Sequence, residues 1–304
     1  MSLSTSSAGP SKGKVTLAGA EETLLLTLLA RAQDAESPHP ILSDQYAVDL
    51  VSQIEDQGYN FKRTVEGGLA PRRFAHSVAT RGRMLDICTE KFLRRHSGPA
   101  TVLHLACGLD TRSMRIRWRG EGRLWIDADL KEAVKLRQEL IKDLDPGRGA
   151  GEYRLLEADI REKEWLSKHN IPTDRPVLIL FEGLTPYVTP DEFYSFLQQT
   201  VNCFHQSGVH GEIYFDALGS LLYHIINYRF EGALKVMGAR VSYYLDDPKT
   251  LEQKVAGLKF KERVFQTLDL HKTGLLGKVL VLFGWLIDLF GLSGRIGGGY
   301  GYEF

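Results

Sequence analysis

Cysteine is scarce in this chain of 304 residues, and charge of neither sign is in excess. The three cysteines, Cys88, Cys107 and Cys203, lie far apart and form neither a disulfide framework nor a metal-ligand spacing. Scattered, odd-numbered thiols favour a reducing compartment, so we expect a cytoplasmic protein. His205 and His210 lie at a spacing that suits neither ligation from one helix face nor a zinc knuckle. We therefore expect no bound metal.

The charges of the chain balance. Lysine and arginine number 38, and aspartate and glutamate also number 38. Binding to nucleic-acid phosphates normally requires a basic excess, so we expect no nucleic-acid partner. The local basic cluster of Arg112, Arg115, Arg117 and Arg119 predicts a solvated surface. No feature of the sequence indicates an oligomeric state.

The chain also lacks a signal-peptide pattern and an uninterrupted apolar span. Residues 1–14 are rich in serine and glycine, and they predict a disordered tail. The most apolar segment, Leu275–Leu292, is interrupted by Lys278, Asp288 and glycines. It predicts a helix that faces the core or covers a pocket, with contact at a membrane interface as the alternative and no integral membrane span.

Hydrophobic periodicity divides the chain into a helical region and a sheet region. Residues 15–98 predict a helical cap, with helical spacing at 21–31, 41–54 and 74–95. Strand patterns then follow at 101–106, 123–128, 153–158, 177–182, 211–216, 259–266 and 298–304, with helical patterns at 130–144, 161–168 and 190–206. This alternation predicts an α/β fold in one domain of residues 15–304, with a mostly parallel seven-stranded sheet, helices on both faces and an antiparallel closing pair. A helical lid insertion is expected at about 217–250.

Small or acidic residues end four successive predicted strands. They are Ala106 and Gly108 after the first strand, Asp127 and Asp129 on the second, Asp159 with Ile160 after the third, and Glu182 on the fourth. The carboxyl ends of parallel strands meet at one edge of a sheet, which is where ligands bind in such folds. We therefore expect these residues to line a ligand crevice.

The chemistry of these strand ends suits a nucleoside. A carboxylate on the second strand can accept hydrogen bonds from ribose hydroxyls, although either Asp127 or Asp129 can instead cap the next helix. Asp159 and Ile160 suit an adenine, with a carboxylate for the amine and an aliphatic side chain for the ring. The sequence contains neither a G-x-G-x-x-G motif nor a Walker lysine, so it does not favour binding of a pyrophosphate. A nucleoside with a cationic centre, such as S-adenosylmethionine, fits an acid-lined crevice better.

Short motifs along most of the chain together resemble those of a known protein family. They are Ala30–Ala32, Leu42–Ala47, Arg81–Asp86, Val102–Arg112, Asp127–Asp129, Ala158–Asp159, Phe181–Tyr187 and Tyr244–Pro248. Together, over residues 20–304, they resemble the leucine carboxyl methyltransferase family, and in particular its tetracenomycin-type polyketide O-methyltransferase branch. The resemblance implies a Rossmann-like class I methyltransferase fold that binds S-adenosylmethionine and methylates carboxyl or hydroxyl groups.

The resemblance also implies roles for individual residues. These are Arg81 for the cofactor carboxylate with Arg31 as a helper, Asp129 for the ribose, Asp159 and Ile160 for the adenine, and Glu182 for the methionine portion. Ala106 occupies a position where the family usually has glycine, on the turn that faces the cofactor. This departure keeps two alternatives open: a methyltransferase-fold protein that uses S-adenosylmethionine for a non-methylating reaction, or a non-catalytic cofactor-binding protein.

The acceptor is less defined by the sequence than the cofactor. A carboxylic acid arrives ionised at neutral pH and needs no base, whereas a hydroxyl needs one. Tyr187, Tyr223 and His224 are candidates for a base or for acceptor contacts by position only, with ordinary pocket-wall or core residues as the alternative. Aromatic residues of the insertion suggest an apolar pocket. We expect O-methylation of a carboxyl group on a small hydrophobic, polyketide-like metabolite.

Overall fold

The structure, a computed structural model, describes residues 20–61, 72–141, 149–229, 241–267 and 293–304. The predicted tail at 1–14 and the apolar segment Leu275–Leu292 lie outside the described residues, as does part of the predicted lid, residues 230–240.

Three helices precede the sheet: α1 (Ala20–Ala35), α2 (Gln45–Asp56) and α3 (Arg72–Arg95). Helix α2 begins at Asp44, whose side chain accepts a hydrogen bond from the backbone N–H of Ala47 as an N-cap. Helices α1 and α2 share a buried apolar cluster that includes Leu28 and Ile54. The predicted helical region is thus helical, while its separation as a cap stays a prediction.

The sheet has seven strands in the order β3-β2-β1-β4-β5-β7-β6. They are β1 (Ala100–Leu105), β2 (Arg123–Asp129), β3 (Glu152–Glu157), β4 (Val177–Phe181), β5 (Gly211–Leu218), β6 (Lys259–Gln266) and β7 (Gly297–Glu303). Strands β1 to β5 are parallel to one another, and β7 lies antiparallel between β5 and β6. The predicted fold class and the antiparallel closing pair are confirmed.

Further helices connect the strands. They are α4 (Arg112–Arg115), α5 (Lys131–Leu140), α6 (Trp165–Lys168), α7 (Pro190–Gln206), α8 (Ser220–Arg229) and α9 (Thr250–Lys254). Helix α7 has the predicted bounds, because Thr189 and Glu192 form a capping box at its start. The helix predicted at 161–168 was too long: Glu164 has a left-handed φ of 58° and α6 begins after it.

Helices cover both faces of the sheet, and alternate strand residues point to each. Leu103 and Ile179 belong to one buried cluster with Phe196 of α7. Their neighbours Val102 and Leu178 belong to the opposite cluster, which α3 completes. Strands buried on both faces explain the near-continuous apolar runs in the sequence.

Strand β7 requires glycine at two positions because aromatic rings lie against its backbone there. A Cβ atom on Gly299 would come 2.3 Å from the Phe265 ring, and one on Gly301 would come 2.4 Å from the Tyr214 ring. Only glycine leaves room for this contact, so the inserted strand packs closely against its neighbours.

A single buried carboxylate, Asp127 of β2, lies beneath the carboxyl ends of the central strands. Its oxygens accept hydrogen bonds at 2.7–3.0 Å from five side chains: Trp125, His104, Ser113, Arg137 and Tyr153. Burial disfavours the charge, but Arg137 and the other donors outweigh this effect and lower the pKa of Asp127. The five donors join three adjacent strands to α4 and α5.

Arg137 extends this network to the loop after β1. Its Nη2 pairs with Asp127 at 2.7 Å, and its Nη1 donates to the carbonyl oxygens of Gly108 (3.0 Å) and Asp110 (2.6 Å). The side chain is 1% exposed. One buried guanidinium therefore fixes both the second strand and the turn at its side.

We predict that Arg137→Ala lowers the free energy of unfolding by about 3–5 kcal/mol, because it leaves Asp127 buried without its countercharge. Urea denaturation measures this. Lys135→Ala is the matched control on the same helix: its side chain is 73% exposed, so a change within about 0.5 kcal/mol is expected. Equal effects of the two substitutions would contradict the role given to Arg137.

Candidate functional site

The turn after β1 has a left-handed backbone at both Ala106 and Gly108, with φ of 49° and 47°. A Cβ atom on Gly108 would lie 2.7 Å from Cδ2 of Leu24, so helix α1 closes over this glycine. Ala106 takes a conformation that its methyl group disfavours. The predicted departure from glycine therefore falls on a residue where glycine has a physical advantage.

Asp129 ends β2 beside this turn. One carboxylate oxygen accepts the N–H of Gly108 at 2.7 Å, and the other accepts the N–H of Leu130 at 2.7 Å. Burial raises the pKa of Asp129 in spite of these donors. Asp127 is engaged in the network below, and α5 has no side-chain cap, so neither aspartate has the capping role that the sequence left open.

A cavity of about 120 Å³ brings several predicted residues together. Its walls include Ala106, Asp129, Asp159, Ile160 and Tyr187. The first four follow three different strands, as the strand-end argument requires. Tyr187 is 52% exposed and borders this cavity, at the end of the site where the sequence predicts adenine.

Asp159 is held by its neighbour Arg161. The Arg161 side chain donates to both carboxylate oxygens, at 2.8 Å from Nε and 2.6 Å from Nη2. These hydrogen bonds lower the pKa of Asp159. The pair lies at the rim, since the Arg161 side chain is 47% exposed.

Glu182, after β4, lies between two arginines. Arg81 Nε donates to one oxygen at 2.7 Å, and Arg112 Nη2 donates to the other at 3.0 Å. Burial opposes ionisation of Glu182, but the two guanidinium groups outweigh it and lower its pKa. Arg81, predicted for the cofactor carboxylate, and Glu182, predicted for the methionine portion, are therefore in direct contact.

Two of the four clustered arginines do not lie on the surface, so that prediction was wrong. Arg112 is fully buried and pairs with Asp86 at 2.6 Å, and Arg115 pairs with Asp86 at 2.7 Å and with Asp110 at 2.6 Å. Buried guanidinium groups are tolerated here because acids surround them. Arg117 is exposed as predicted.

Asp216, near the carboxyl end of β5, is a site residue that the sequence did not predict. It accepts Arg81 Nη1 at 3.0 Å and the N–H of Gly183 at 2.7 Å. Burial raises the pKa of this carboxyl in spite of Arg81, and Glu182 adds to the rise. Extending the search for acidic strand ends from the fourth strand to the fifth would have found it.

Arg31, the predicted helper of Arg81, lies in a buried position on α1. It donates from Nη2 to the carbonyl oxygen of Leu109 at 3.0 Å and pairs with Asp44 at 3.4 Å. The ion-pair distance to Asp44 is measured from Nε, which is buried and makes no hydrogen bond within the described ranges. The side chain thus binds α2 and the loop after β1 together.

Tyr223 and His224 of α8 lie together with Tyr244 in an aromatic group. The ring centroid of Tyr223 is 5.1 Å from that of His224 and 5.1 Å from that of Tyr244. The backbone N–H of Ser242 donates to the carbonyl oxygen of Pro186 at 2.8 Å. The segment that carries Tyr244 therefore runs beside the short 3-10 helix Thr185–Tyr187 that follows β4.

The part of the chain that the structure describes contains neither a metal-ligand cluster nor a membrane-spanning helix. No group of three or more histidine, cysteine, aspartate or glutamate side chains there is arranged to hold a metal ion. Over the same ranges, no helix combines the length and hydrophobicity needed to cross a bilayer.

Sequence comparisons identify related proteins over most of the chain. The leucine carboxyl methyltransferase family model matches residues 24–201. An S-adenosyl-L-methionine-dependent methyltransferase, dpfgK of Gibberella zeae, is 56% identical over 96% of this chain and 98% of its own length. The tetracenomycin polyketide synthesis O-methyltransferase TcmP of Streptomyces glaucescens is 33% identical over 82% of this chain and 84% of its own.

Structural comparison supports the same fold. The crystal structure of a DUF574 family protein from Streptomyces avermitilis matches with a TM-score of 0.52. The match has 9% sequence identity and covers 92% of this chain and 96% of the other. At this identity the likeness concerns the fold alone.

We predict that Ala106→Gly raises the free energy of unfolding by up to about 1 kcal/mol. Release of the left-handed strain, about 1–2 kcal/mol, exceeds the added entropy of the unfolded chain, about 0.4–1 kcal/mol. Thermal or urea denaturation measures the change. Ala133→Gly, within helix α5, is the control and should be destabilising by about 1 kcal/mol. A similar loss for both variants would contradict the strain at Ala106.

Proposed function

Because the chain belongs to the leucine carboxyl methyltransferase family and is an S-adenosylmethionine-dependent methyltransferase, we propose that it methylates an oxygen atom. The acceptor proposed is the carboxyl group of a small hydrophobic, polyketide-like acid. The observation that carries the cofactor assignment is the convergence of Asp129, Asp159, Glu182 and Arg81 at one edge of the sheet.

The adenosine end of the proposed site is the cavity beside Ala106. Asp129 takes the ribose hydroxyls, since its partly buried carboxylate lines this cavity. Each of its oxygens accepts one backbone N–H and has a further lone pair for a hydroxyl. Asp159 accepts the adenine amine, and Ile160 packs against the ring. Arg161 holds the Asp159 carboxylate ionised, which keeps it an acceptor.

The methionine end is proposed at Arg81 and Glu182. Arg81 uses Nε and Nη1 for Glu182 and Asp216. Apart from atoms of the two adjacent residues, a Cβ on Gly183 would have only Arg81 Nη2 within 4 Å among the described residues, at 4.0 Å, so there is room beside this nitrogen. A guanidinium edge binds a carboxylate, and Glu182 suits the ammonium group. The donor set therefore fits both charges of the amino-acid portion.

When bound, S-adenosylmethionine supplies a methyl group on a positively charged sulfur. The protein's own task is to orient the acceptor oxygen in line with that methyl group and to exclude water, and positioning of this kind lowers the barrier by several kcal/mol. The acidic strand ends offer negative charge that favours binding of a cofactor with a positively charged sulfur.

A carboxyl acceptor is favoured over a hydroxyl because the described acids here are already engaged. Glu182 accepts from Arg81 and Arg112, and Asp216 accepts from Arg81 and Gly183. Neither carboxylate is free to remove a proton from a phenol or alcohol. A carboxylic acid, ionised at neutral pH, needs no such base.

The aromatic group of Tyr223, His224 and Tyr244 is proposed as the acceptor wall. The segment that leads to Tyr244 is hydrogen-bonded to the Thr185–Tyr187 turn, and Tyr187 of this turn also borders the cofactor cavity. Aromatic rings with half-exposed faces bind planar apolar molecules well. The name of TcmP, a polyketide synthesis O-methyltransferase, supports a polyketide-like acceptor for this chain as well.

Incubation with radiolabelled S-adenosylmethionine and matched pairs of hydrophobic aromatic acids and phenols tests the reaction. We expect base-labile methyl esters with equal release of S-adenosylhomocysteine. Base-stable ether products without ester would contradict a carboxyl acceptor. Cofactor binding with no S-adenosylhomocysteine release on any acceptor would favour a non-methylating role.

Tyr223→Leu tests the acceptor wall. We expect the acceptor KM to rise by about tenfold, since one aromatic contact is worth about 0.5–1.5 kcal/mol, while the Kd for S-adenosylhomocysteine stays within about twofold. Tyr228→Leu is the control on the same helix, because Tyr228 is 84% exposed. An unchanged KM for Tyr223→Leu, or equal increases for both variants, would contradict the proposed wall.

A further inference from the structure

Asp216 is the one carboxylate in contact with Arg81 that no role in the proposed function uses. Its Oδ2 accepts Arg81 Nη1 at 3.0 Å, and its Oδ1 accepts the N–H of Gly183 at 2.7 Å. Its carbonyl oxygen accepts the hydroxyl of Thr185 at 2.8 Å. The residue thus links the end of β5 to Arg81 and to the turn after β4.

The two acids hold Arg81 from two directions. Glu182 takes Nε at 2.7 Å and Asp216 takes Nη1 at 3.0 Å. A guanidinium group is planar and rigid, so two contacts on different nitrogens define the orientation of the whole group. No hydrogen bond to Nη2 occurs among the described residues, and this nitrogen lies beside the open space at Gly183.

We propose that Asp216 is a positioning residue, which orients the Arg81 guanidinium so that its Nη2 side receives the carboxylate of the cofactor. This inference rests on the proposed function, because it takes Arg81 as the carboxylate ligand. Asp216 touches neither the cofactor nor the acceptor in this scheme and acts only through Arg81.

Geometry, rather than charge, is the basis of this role. A negative group beside an anion-binding arginine reduces the net attraction of that arginine for an anion. Asp216 therefore lowers affinity by its charge and raises it by its placement of the guanidinium group. The two effects have opposite signs, so the measured sign of a substitution separates them.

The test compares two ligands that differ only in the carboxylate: S-adenosylhomocysteine and its decarboxylated analogue, 5′-deoxy-5′-(3-aminopropylthio)adenosine. Calorimetry gives Kd for both on the wild type and on Asp216→Asn. We expect Asp216→Asn to weaken S-adenosylhomocysteine by about tenfold, the range of one charge-assisted hydrogen bond, and the analogue by less than about twofold. Equal losses, or tighter binding of S-adenosylhomocysteine, would overturn the inference.

Two further variants separate this inference from the proposed function. Arg81→Gln should weaken S-adenosylhomocysteine selectively. If both ligands weaken equally, Arg81 is not the carboxylate ligand, and the proposed methionine end and the role of Asp216 both fail. If Arg81→Gln is selective and Asp216→Asn is not, only the role of Asp216 fails. Asp129→Asn, at the proposed ribose end, is the matched control and should weaken both ligands equally.

If Asp216→Asn does not fold, a second variant, Asp216→Glu, tests the same role. Asp216→Glu keeps the charge and lengthens the side chain by one methylene, which displaces Arg81 without removing its partner. The same pair of ligands is then compared. A loss confined to S-adenosylhomocysteine supports the positioning role, and equal losses or no loss contradict it.

Discussion

The hydrogen bonds and ion pair at Asp127 are the interaction on which the candidate site depends. One buried carboxylate accepts from β1, β2, β3, α4 and α5, and it does so directly below the turn that carries Ala106 and Gly108. Arg137 compensates its charge and also holds the carbonyl oxygens of that turn. The position of Asp129, whose oxygen accepts the Gly108 N–H, follows from the same set of contacts.

A second buried charge network supports the other end of the site. Arg112 contacts Asp86 of α3 and Glu182 after β4, so the helical region and the sheet meet through one guanidinium group. Removal of one partner from such a network leaves an uncompensated buried charge, which costs more than the intact network contributes. The network holds Glu182 rigidly. This suits the proposed binding of a charged ligand, because such a site needs its own charged groups fixed before the ligand arrives.

Local sequence patterns predicted the strands of the sheet well. Side-chain contacts between residues far apart in the chain could not be predicted in this way. Apolar runs and the residues that follow them gave all seven strands, and parallel strand ends brought Asp129 near Asp159. Two carboxylate partners of Arg112, Asp86 and Glu182, lie 26 and 70 positions away in the chain. Its burial therefore could not be predicted from neighbouring residues, and a basic cluster suggested a surface. Asp216 was missed for another reason: it ends the strand predicted at 211–216, but only the ends of the first four predicted strands were compared.

The pair of Arg161 and Asp159 differs from the other ion pairs of the site in its exposure to solvent. Counter-ions screen charges at the surface but have little effect on charges removed from water. Added salt therefore loosens the contact at the proposed adenine end while leaving the Arg81, Glu182 and Asp216 group intact. The two ends of the proposed site thus have different sensitivities to ionic strength, and the proposed adenine end is the one that responds to added salt.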